Sequence, residues 1–247
     1  MMSTILRIMG YRKRRSLFSF LFIGLVVAIL VGTFQEKAPF WISAFGTPIE
    51  DSTQGIFDLF PFGWILFNLV ILYISFSITW SLTPFLFRMW RLSGRATNAS
   101  YQMIFALATG ICLIVLLVSG LFCILFSVLF GRFDGHHMAL HTFLPVLWLW
   151  FLGSVLCVWL SMLVTMMTRH AFAGLMLSTG LIIVSAFLYP HDSWMPGMQW
   201  IFGAHLGPHA LSFLGSSLYL LIAIVVINGI GSIAVYTKSG QERVFRG

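Results

Sequence analysis

The chain has 247 residues, of which 59% are hydrophobic and only 9% are charged. Soluble domains use about 25% charged residues to cover their surface, so this composition excludes an ordinary soluble protein and indicates a membrane protein. Fourteen lysines and arginines against seven acids give a net charge of +7. These basic residues are scattered among the segments between apolar runs, which gives no support for binding to nucleic acid.

Six apolar runs are long enough to cross a hydrocarbon core about 30 Å thick, which takes around 20 helical residues. Their continuous apolarity differs from the alternating pattern of a membrane barrel, and lipid does not tolerate open strand edges. We therefore predict an all-α integral membrane protein with a single transmembrane domain over residues 1–247. The predicted spans are Leu17–Phe34, Phe62–Leu86, Tyr101–Gly131, His141–Met167, Ala171–Pro190 and Ala210–Tyr236.

Residues 1–15 precede the first span and interleave apolar side chains with basic ones. That spacing predicts a short helix in the membrane interface, with its basic residues towards lipid headgroups; the alternative is an ordinary basic flank. The basic residues are Arg7, Arg12, Lys13, Arg14 and Arg15. A basic cluster before an apolar run is also typical of a signal peptide. Here the run is long and no Ala-x-Ala site follows it, so we expect an uncleaved helix.

The segments between the spans differ in character. The segment 88–100 carries three arginines beside Trp90 and Leu92, and such large apolar side chains in a turn predict docking against protein or membrane. The segment 168–170 is predicted to be a very tight turn. The segment 191–209 is too apolar for a free loop, and prolines and glycines break it into short pieces. We interpret it as a re-entrant or interfacial hairpin, because irregular backbone at membrane depth needs protein or water around it.

The charged residues predict the orientation of the spans. All fourteen basic residues except Lys37 and Arg132 fall on one side of the membrane, and all seven acids except Glu242 fall on the other. The positive-inside rule then places both ends of the chain in the cytoplasm. The positive net charge is therefore mostly a consequence of topology.

Several sources of transport energy are missing from the sequence. It has no P-loop to bind nucleotide phosphates. The predicted spans contain no Asp, Glu or Lys, whereas ion-coupled transporters usually keep such residues in the membrane. This argues against a secondary transporter, although carbonyl and hydroxyl ligands would still serve sodium. The small polar residues of the spans are predicted mainly to hold helices together, and the alternative is that some of them line a path through the membrane. All three cysteines lie in apolar runs and predict no disulfide framework.

The arrangement resembles the membrane subunit of an ABC-2 type ABC transporter, of the small six-helix kind found in antimicrobial-peptide and bacteriocin-immunity exporters. The resemblance covers the whole chain and rests on architecture. Its features are six spans with both ends inside, an entry helix at residues 3–14, an arginine- and tryptophan-bearing segment at 88–100, a tight turn at 168–170 and a broken apolar hairpin at 191–209.

The resemblance implies an ATP-driven exporter in the plasma membrane. Two permeases, either two copies of this chain or this chain and a sister permease, would stand on two cytosolic ATPase subunits that bind ATP and magnesium. This chain would hold no cofactor and no catalytic site, and membrane lipid would surround it. The cargo would be an amphiphile that leaves outward: a hydrophobic peptide, an antibiotic or a lipid. The segment 88–100 would be the coupling loop, with Arg88, Trp90, Arg91, Leu92 and Arg95 contacting the ATPase.

Six of the seven histidines lie on the predicted outer side. His137 and His141 form an i, i+4 pair, and so do His205 and His209, which is the spacing that places two imidazoles on one helical face. Such pairs bind zinc or copper or respond to acidic pH, and histidine also serves as an ordinary filler of interfacial loops. Two alternatives to an exporter are therefore a membrane metal or haem redox enzyme and a non-catalytic subunit of a larger membrane complex.

Overall fold

The computed structural model describes residues 62–93, 97–129, 140–188, 194–205 and 211–236. Within these residues the chain forms five long α-helices and two short 3₁₀ helices. The α-helices are α1 (Phe62–Ser93), α2 (Thr97–Leu129), α3 (Leu140–Thr168), α4 (Ala171–Leu188) and α5 (Phe213–Tyr236), and the 3₁₀ helices are Pro196–Trp200 and Phe202–His205. The predicted entry helix and the predicted first span, Leu17–Phe34, lie outside the described residues.

All five α-helices are long and apolar enough to cross a membrane. The prediction of an all-helical, multi-pass membrane protein is therefore confirmed over the described part of the chain. The reason is elementary: in lipid each backbone N–H and C=O must find a partner within the protein, and a helix satisfies both along its own length.

Helices α1 and α2 extend further than the apolar runs that predict them. Helix α1 continues past Leu86 to Ser93, and α2 begins at Thr97, so only residues 94–96 separate the two helices. The segment 88–100, predicted as a loop, is thus helical on both sides of that short connection. Arginine, leucine and methionine are good helix formers, so the end of the apolar run does not end the helix.

Helix α3 lies at the centre of the bundle and packs against the other four α-helices. In α3, 72% of the apolar span is buried, whereas in α5 only 11% is buried. Helix α5 is nevertheless mostly apolar, which is expected where lipid covers the outer face of a helix.

The α3–α4 hairpin closes through the tight turn that the sequence predicts. Arg169 adopts a left-handed conformation with φ 62°, which reverses the chain directly after Thr168. The two helices then approach closely at Gly174, where a Cβ would overlap the carbonyl oxygen of Ser161. Beside this contact, Ser161 donates a 2.7 Å hydrogen bond to the hydroxyl of Ser178, so a small residue and a polar pair together hold α3 against α4.

The residues between α4 and α5 pack onto the bundle. The first 3₁₀ helix contacts α3, α4 and α5, and Met198, Trp200 and Ile201 are buried. Gly197 permits this packing, because a Cβ there would overlap the side chain of Ser185 on α4. The prediction that this segment is not a free loop is confirmed for residues 194–205.

Candidate functional site

The residues predicted to contact an ATPase lie at the end of α1. Arg88, Trp90, Arg91 and Leu92 all belong to its last turns, and Arg95 falls in the connection 94–96, outside the described residues. We call residues 88–100, the end of α1 and the start of α2, the arginine hairpin. Its two described arms, 88–93 and 97–100, continue the membrane helices α1 and α2.

The predicted metal-binding histidines are described in part. His137 and His209 lie outside the described residues, as do the basic residues of the predicted entry helix, and His141 is the second residue of α3. His205, the last residue of the second 3₁₀ helix, is the one member whose side chain is described. The pairing of His137 with His141, and of His205 with His209, therefore stays a prediction.

His205 is buried between the 3₁₀ helices and the start of α5, with 8% of its surface exposed. Its Nδ1 lies 2.8 Å from the carbonyl oxygen of Leu211, and its Nε2 lies 3.0 Å from the carbonyl oxygen of Gln199. The ring stacks on Phe213, with centroids 4.4 Å apart. A neutral imidazole donates from only one nitrogen, so the tautomer of the ring decides which of the two carbonyl oxygens accepts a hydrogen bond. A metal ion would have to displace one of these carbonyl contacts to bind His205.

Two further hydrogen bonds join the same segment to α5. The hydroxyl of Ser216 donates to Oε1 of Gln199 at 2.9 Å, and the hydroxyl of Tyr219 donates to the carbonyl oxygen of Trp194 at 2.9 Å. These bonds fix residues 194–205 against the first two turns of the last helix. Interhelical hydrogen bonds of this kind are the directional part of packing in lipid.

Trp200 anchors the segment on its other side and is fully buried. Its Nε1 donates to Oδ1 of Asn68 at 3.1 Å, and Nδ2 of Asn68 donates in turn to the carbonyl oxygen of Trp64 at 2.8 Å. The indole lies against Gly153 of α3, where a Cβ would overlap the ring. Gly153 on α3 and the amide of Asn68 on α1 therefore hold the indole of Trp200 in place.

The Trp200 cluster, as we name this buried group, joins the residues between α4 and α5 to α1 and α5. Its members are Asn68, Gln199, Trp200, His205 and Ser216. It offers amide, indole, hydroxyl and imidazole groups, which hydrogen-bond polar groups and hold chain segments in place. Among the described residues, no three His, Cys, Asp or Glu side chains lie together as a metal site.

A second polar cluster joins α2 to α5. Nε2 of Gln102 donates to Oδ1 of Asn228 and to Oγ of Ser232, both at 3.0 Å, and Nδ2 of Asn228 donates back to Oε1 of Gln102 at 3.3 Å. We call Gln102, Asn228 and Ser232 the amide clamp. Sequence reasoning missed Gln102, although a glutamine at the start of an apolar span is a recognisable indication of an interhelical contact.

Other polar residues of the spans bond to their own helices. Thr79, Thr83, Thr109 and Ser119 each donate to the carbonyl oxygen four residues earlier, at 2.7 to 2.9 Å. A hydroxyl that is satisfied in this way costs little in lipid. The hydroxyl of Thr109 also accepts a 3.0 Å hydrogen bond from Nε1 of Trp159 on α3. The prediction that small polar residues hold helices together is therefore confirmed for Thr109, Ser161 and Ser178, whereas the bonds described for Thr79, Thr83 and Ser119 lie within their own helices.

Comparison of the chain with protein-family models, curated proteins and solved structures finds no match. The features of the chain that bear on its function are the arginine hairpin, the Trp200 cluster and the amide clamp.

Proposed function

We propose that this chain is the membrane-spanning permease subunit of an ATP-driven exporter of the ABC-2 type. In this proposal, cytosolic ATPase subunits bind ATP and magnesium, and a second copy or a sister permease completes the pore. The cargo is an amphiphile, such as a hydrophobic peptide, an antibiotic or a lipid. The chain lies in the plasma membrane with six spans and both ends in the cytoplasm.

The observation that carries the proposal is the arginine hairpin. Helix α1 continues without a break for six residues after the apolar run, from Arg88 to Ser93, which is about 9 Å of helix at 1.5 Å per residue. Helix α2 starts at Thr97, four residues before its own apolar span. A helical hairpin that projects beyond the membrane on the arginine-rich side is suited to transmit the movement of a cytosolic ATPase to the membrane helices.

A proline separates the projecting end of α1 from the part of the helix that lies in the bundle. Pro84 lies inside α1, four residues before Arg88, and it lacks the N–H that would bond to the carbonyl oxygen of Trp80. Helices bend most readily where such a bond is missing. The projecting end of α1 therefore has a defined point about which it moves relative to the buried part.

The Trp200 cluster supports a second part of the proposal, which is that the permease is closed on its outer side between α4 and α5. The first 3₁₀ helix contacts α3, α4 and α5, and residues 197–201 and His205 are buried. In an exporter, this segment is the re-entrant outer hairpin that separates the cavity of the permease from the outside. Its polar groups are then covered by protein, as irregular backbone at that depth requires.

The test is purification of the tagged chain from its native membrane in mild detergent, with mass spectrometry and an ATP hydrolysis assay. We expect a stoichiometric P-loop ATPase, lost when Arg88→Glu and Arg91→Glu are combined. Arg169→Glu, which adds a negative charge at the other predicted cytoplasmic turn, is the matched control and should retain the partner. Retention of the ATPase by the double variant, or stoichiometric iron or haem in place of an ATPase, would overturn the proposal.

A further inference from the structure

The amide clamp joins α2, just after the arginine hairpin, to the last helix, α5. Gln102 is the sixth residue of α2, so its Cα is about 8 Å along the helix axis from the start of α2 at 1.5 Å per residue. Its partners Asn228 and Ser232 lie one turn apart near the other end of α5 from the Trp200 cluster. The clamp is thus the contact through which the base of the hairpin meets the last helix.

The geometry of the clamp fixes the register of the two helices. The two amides exchange hydrogen bonds in both directions, and a third bond reaches Ser232 one turn further along α5. Such bonds are directional, and a shift of one helix past the other breaks all three together. The preceding residue, Tyr101, adds a steric lock: it is buried, and a Cβ at Gly231 would overlap its hydroxyl.

Helix α5 has a second polar attachment at its other end, where Ser216 and Tyr219 donate hydrogen bonds to residues 194–205. Between the two attachments α5 packs against α3, and Leu220 of this stretch is fully buried. Apolar side chains in lipid have little preference between neighbouring helices and lipid tails, since both are equally apolar. The apolar stretch therefore fixes the axial position of α5 less than the two polar attachments do.

We propose that the amide clamp transmits movement of the arginine hairpin to the inner end of α5, so that Gln102 and Asn228 are positioning residues for the ATP-driven change of the last helix. This inference rests on the proposed exporter function. The clamp makes the start of α2 and the Asn228–Ser232 turn of α5 move as one body, while the other end of α5 stays attached to residues 194–205.

The test uses two thiol reporters in the purified complex with its ATPase, after replacement of the native cysteines by alanine. Ser93→Cys reports on the hairpin, and Ile233→Cys, directly after the clamp, reports on α5; the side chain of Ile233 is 69% exposed and lies within the apolar span. Each thiol is labelled to completion with an environment-sensitive fluorophore, and its emission is measured with and without ATP. We expect ATP to change both emissions in the chain with an intact clamp. In the Gln102→Leu variant, ATP should still change the signal of the reporter at position 93 but should no longer change the signal of the reporter at position 233.

A rescue separates this role from simple loss of stability. Gln102→Asn combined with Asn228→Gln keeps a reciprocal amide pair with the side-chain lengths exchanged, and it should restore the ATP response at 233. If Gln102→Leu does not fold, Asn228→Ala removes the same pair with a smaller change. The thermal unfolding of each variant is recorded in parallel, so that a lost response in a stable protein is distinguished from unfolding.

Each outcome has a separate meaning. An ATP response at 233 that persists in Gln102→Leu would overturn the clamp inference. A response at 93 alone in the chain with an intact clamp would also overturn it, while the exporter proposal would stand. No response at either reporter in that chain would refute the exporter proposal and the clamp inference together.

Discussion

Replacement of Gly153 by alanine tests how tightly Trp200 holds the 3₁₀ segment to the bundle. A Cβ at position 153 overlaps the indole of Trp200, which is fully buried and donates a hydrogen bond to Asn68. The ring has to move, because the overlapping atoms belong to the rigid bicycle and not to a flexible chain end. Movement of the ring strains the packing and separates Nε1 from the amide oxygen of Asn68.

The magnitude follows from three contributions. Overpacking a filled site costs about 1–3 kcal/mol, and a buried amide oxygen that loses its donor costs about 1–3 kcal/mol. Alanine is better than glycine in a helix by about 1 kcal/mol. These contributions partly overlap, since one movement of the ring causes both costs, and we expect a net loss of about 2 kcal/mol. For a chain of this length, that loss lowers the melting temperature by about 4–8 °C.

The assay is thermal unfolding in detergent, followed with a dye that becomes fluorescent on reaction with thiols. Cys112 and Cys157 are buried, so they react when the bundle opens. Gly180→Ala is the matched control, because that glycine also lies within a span and a Cβ there meets nothing within 4 Å. We expect its melting temperature to stay unchanged or to rise slightly.

A double-mutant cycle then assigns the cause. In a Trp200→Ala background the space for the new methyl group exists, so Gly153→Ala should have little effect there. An equal fall in melting temperature with and without Trp200 would refute the reasoning, because the contact between residues 153 and 200 would not be the source of the loss.

Two further predictions use the same unfolding assay. Arg169→Gly should stabilise the protein by about 1 kcal/mol, because glycine adopts the left-handed conformation without the penalty of a Cβ; an equal gain in Arg169→Ala would contradict strain as the cause. His205→Phe keeps a ring to stack on Phe213 but leaves the carbonyl oxygens of Gln199 and Leu211 without their contact, and it should cost about 1–3 kcal/mol. An unchanged melting temperature in this variant would show that the imidazole contacts do not contribute to stability.

The helices themselves are predictable from sequence because lipid imposes a simple requirement. A run of about 20 apolar residues has no alternative to a helix in the membrane, and five predicted runs correspond to observed helices. The end of α1 differs from the prediction for an equally simple reason. Hydropathy reports where lipid ends, whereas backbone propensity decides where the helix ends, and Arg88–Ser93 is helical although it carries two arginines.

The clusters are harder to predict because their members are distant in the chain. Gln102 and Asn228 are 126 residues apart, and Trp200 and Asn68 are 132 residues apart. Composition identifies each as a polar or aromatic residue in an apolar setting, but the partner depends on how the helices are arranged around α3. His205 illustrates the same difficulty: its i, i+4 spacing from His209 leaves a metal ligand, a pH-responsive group and an ordinary filler open, and only the fold shows that both of its nitrogens lie against backbone carbonyl oxygens.

The most direct test of the exporter proposal is photo-crosslinking from the arginine hairpin. A photo-reactive phenylalanine analogue at position 90 replaces Trp90 in the last turns of α1, and the same analogue at position 176 replaces Met176, an exposed residue within the span of α4. After irradiation of native membranes, we predict an adduct at position 90 that contains a peptide of a P-loop ATPase, and no such adduct at position 176. Adducts with lipid alone at position 90, in membranes where the chain is folded, would contradict the proposal.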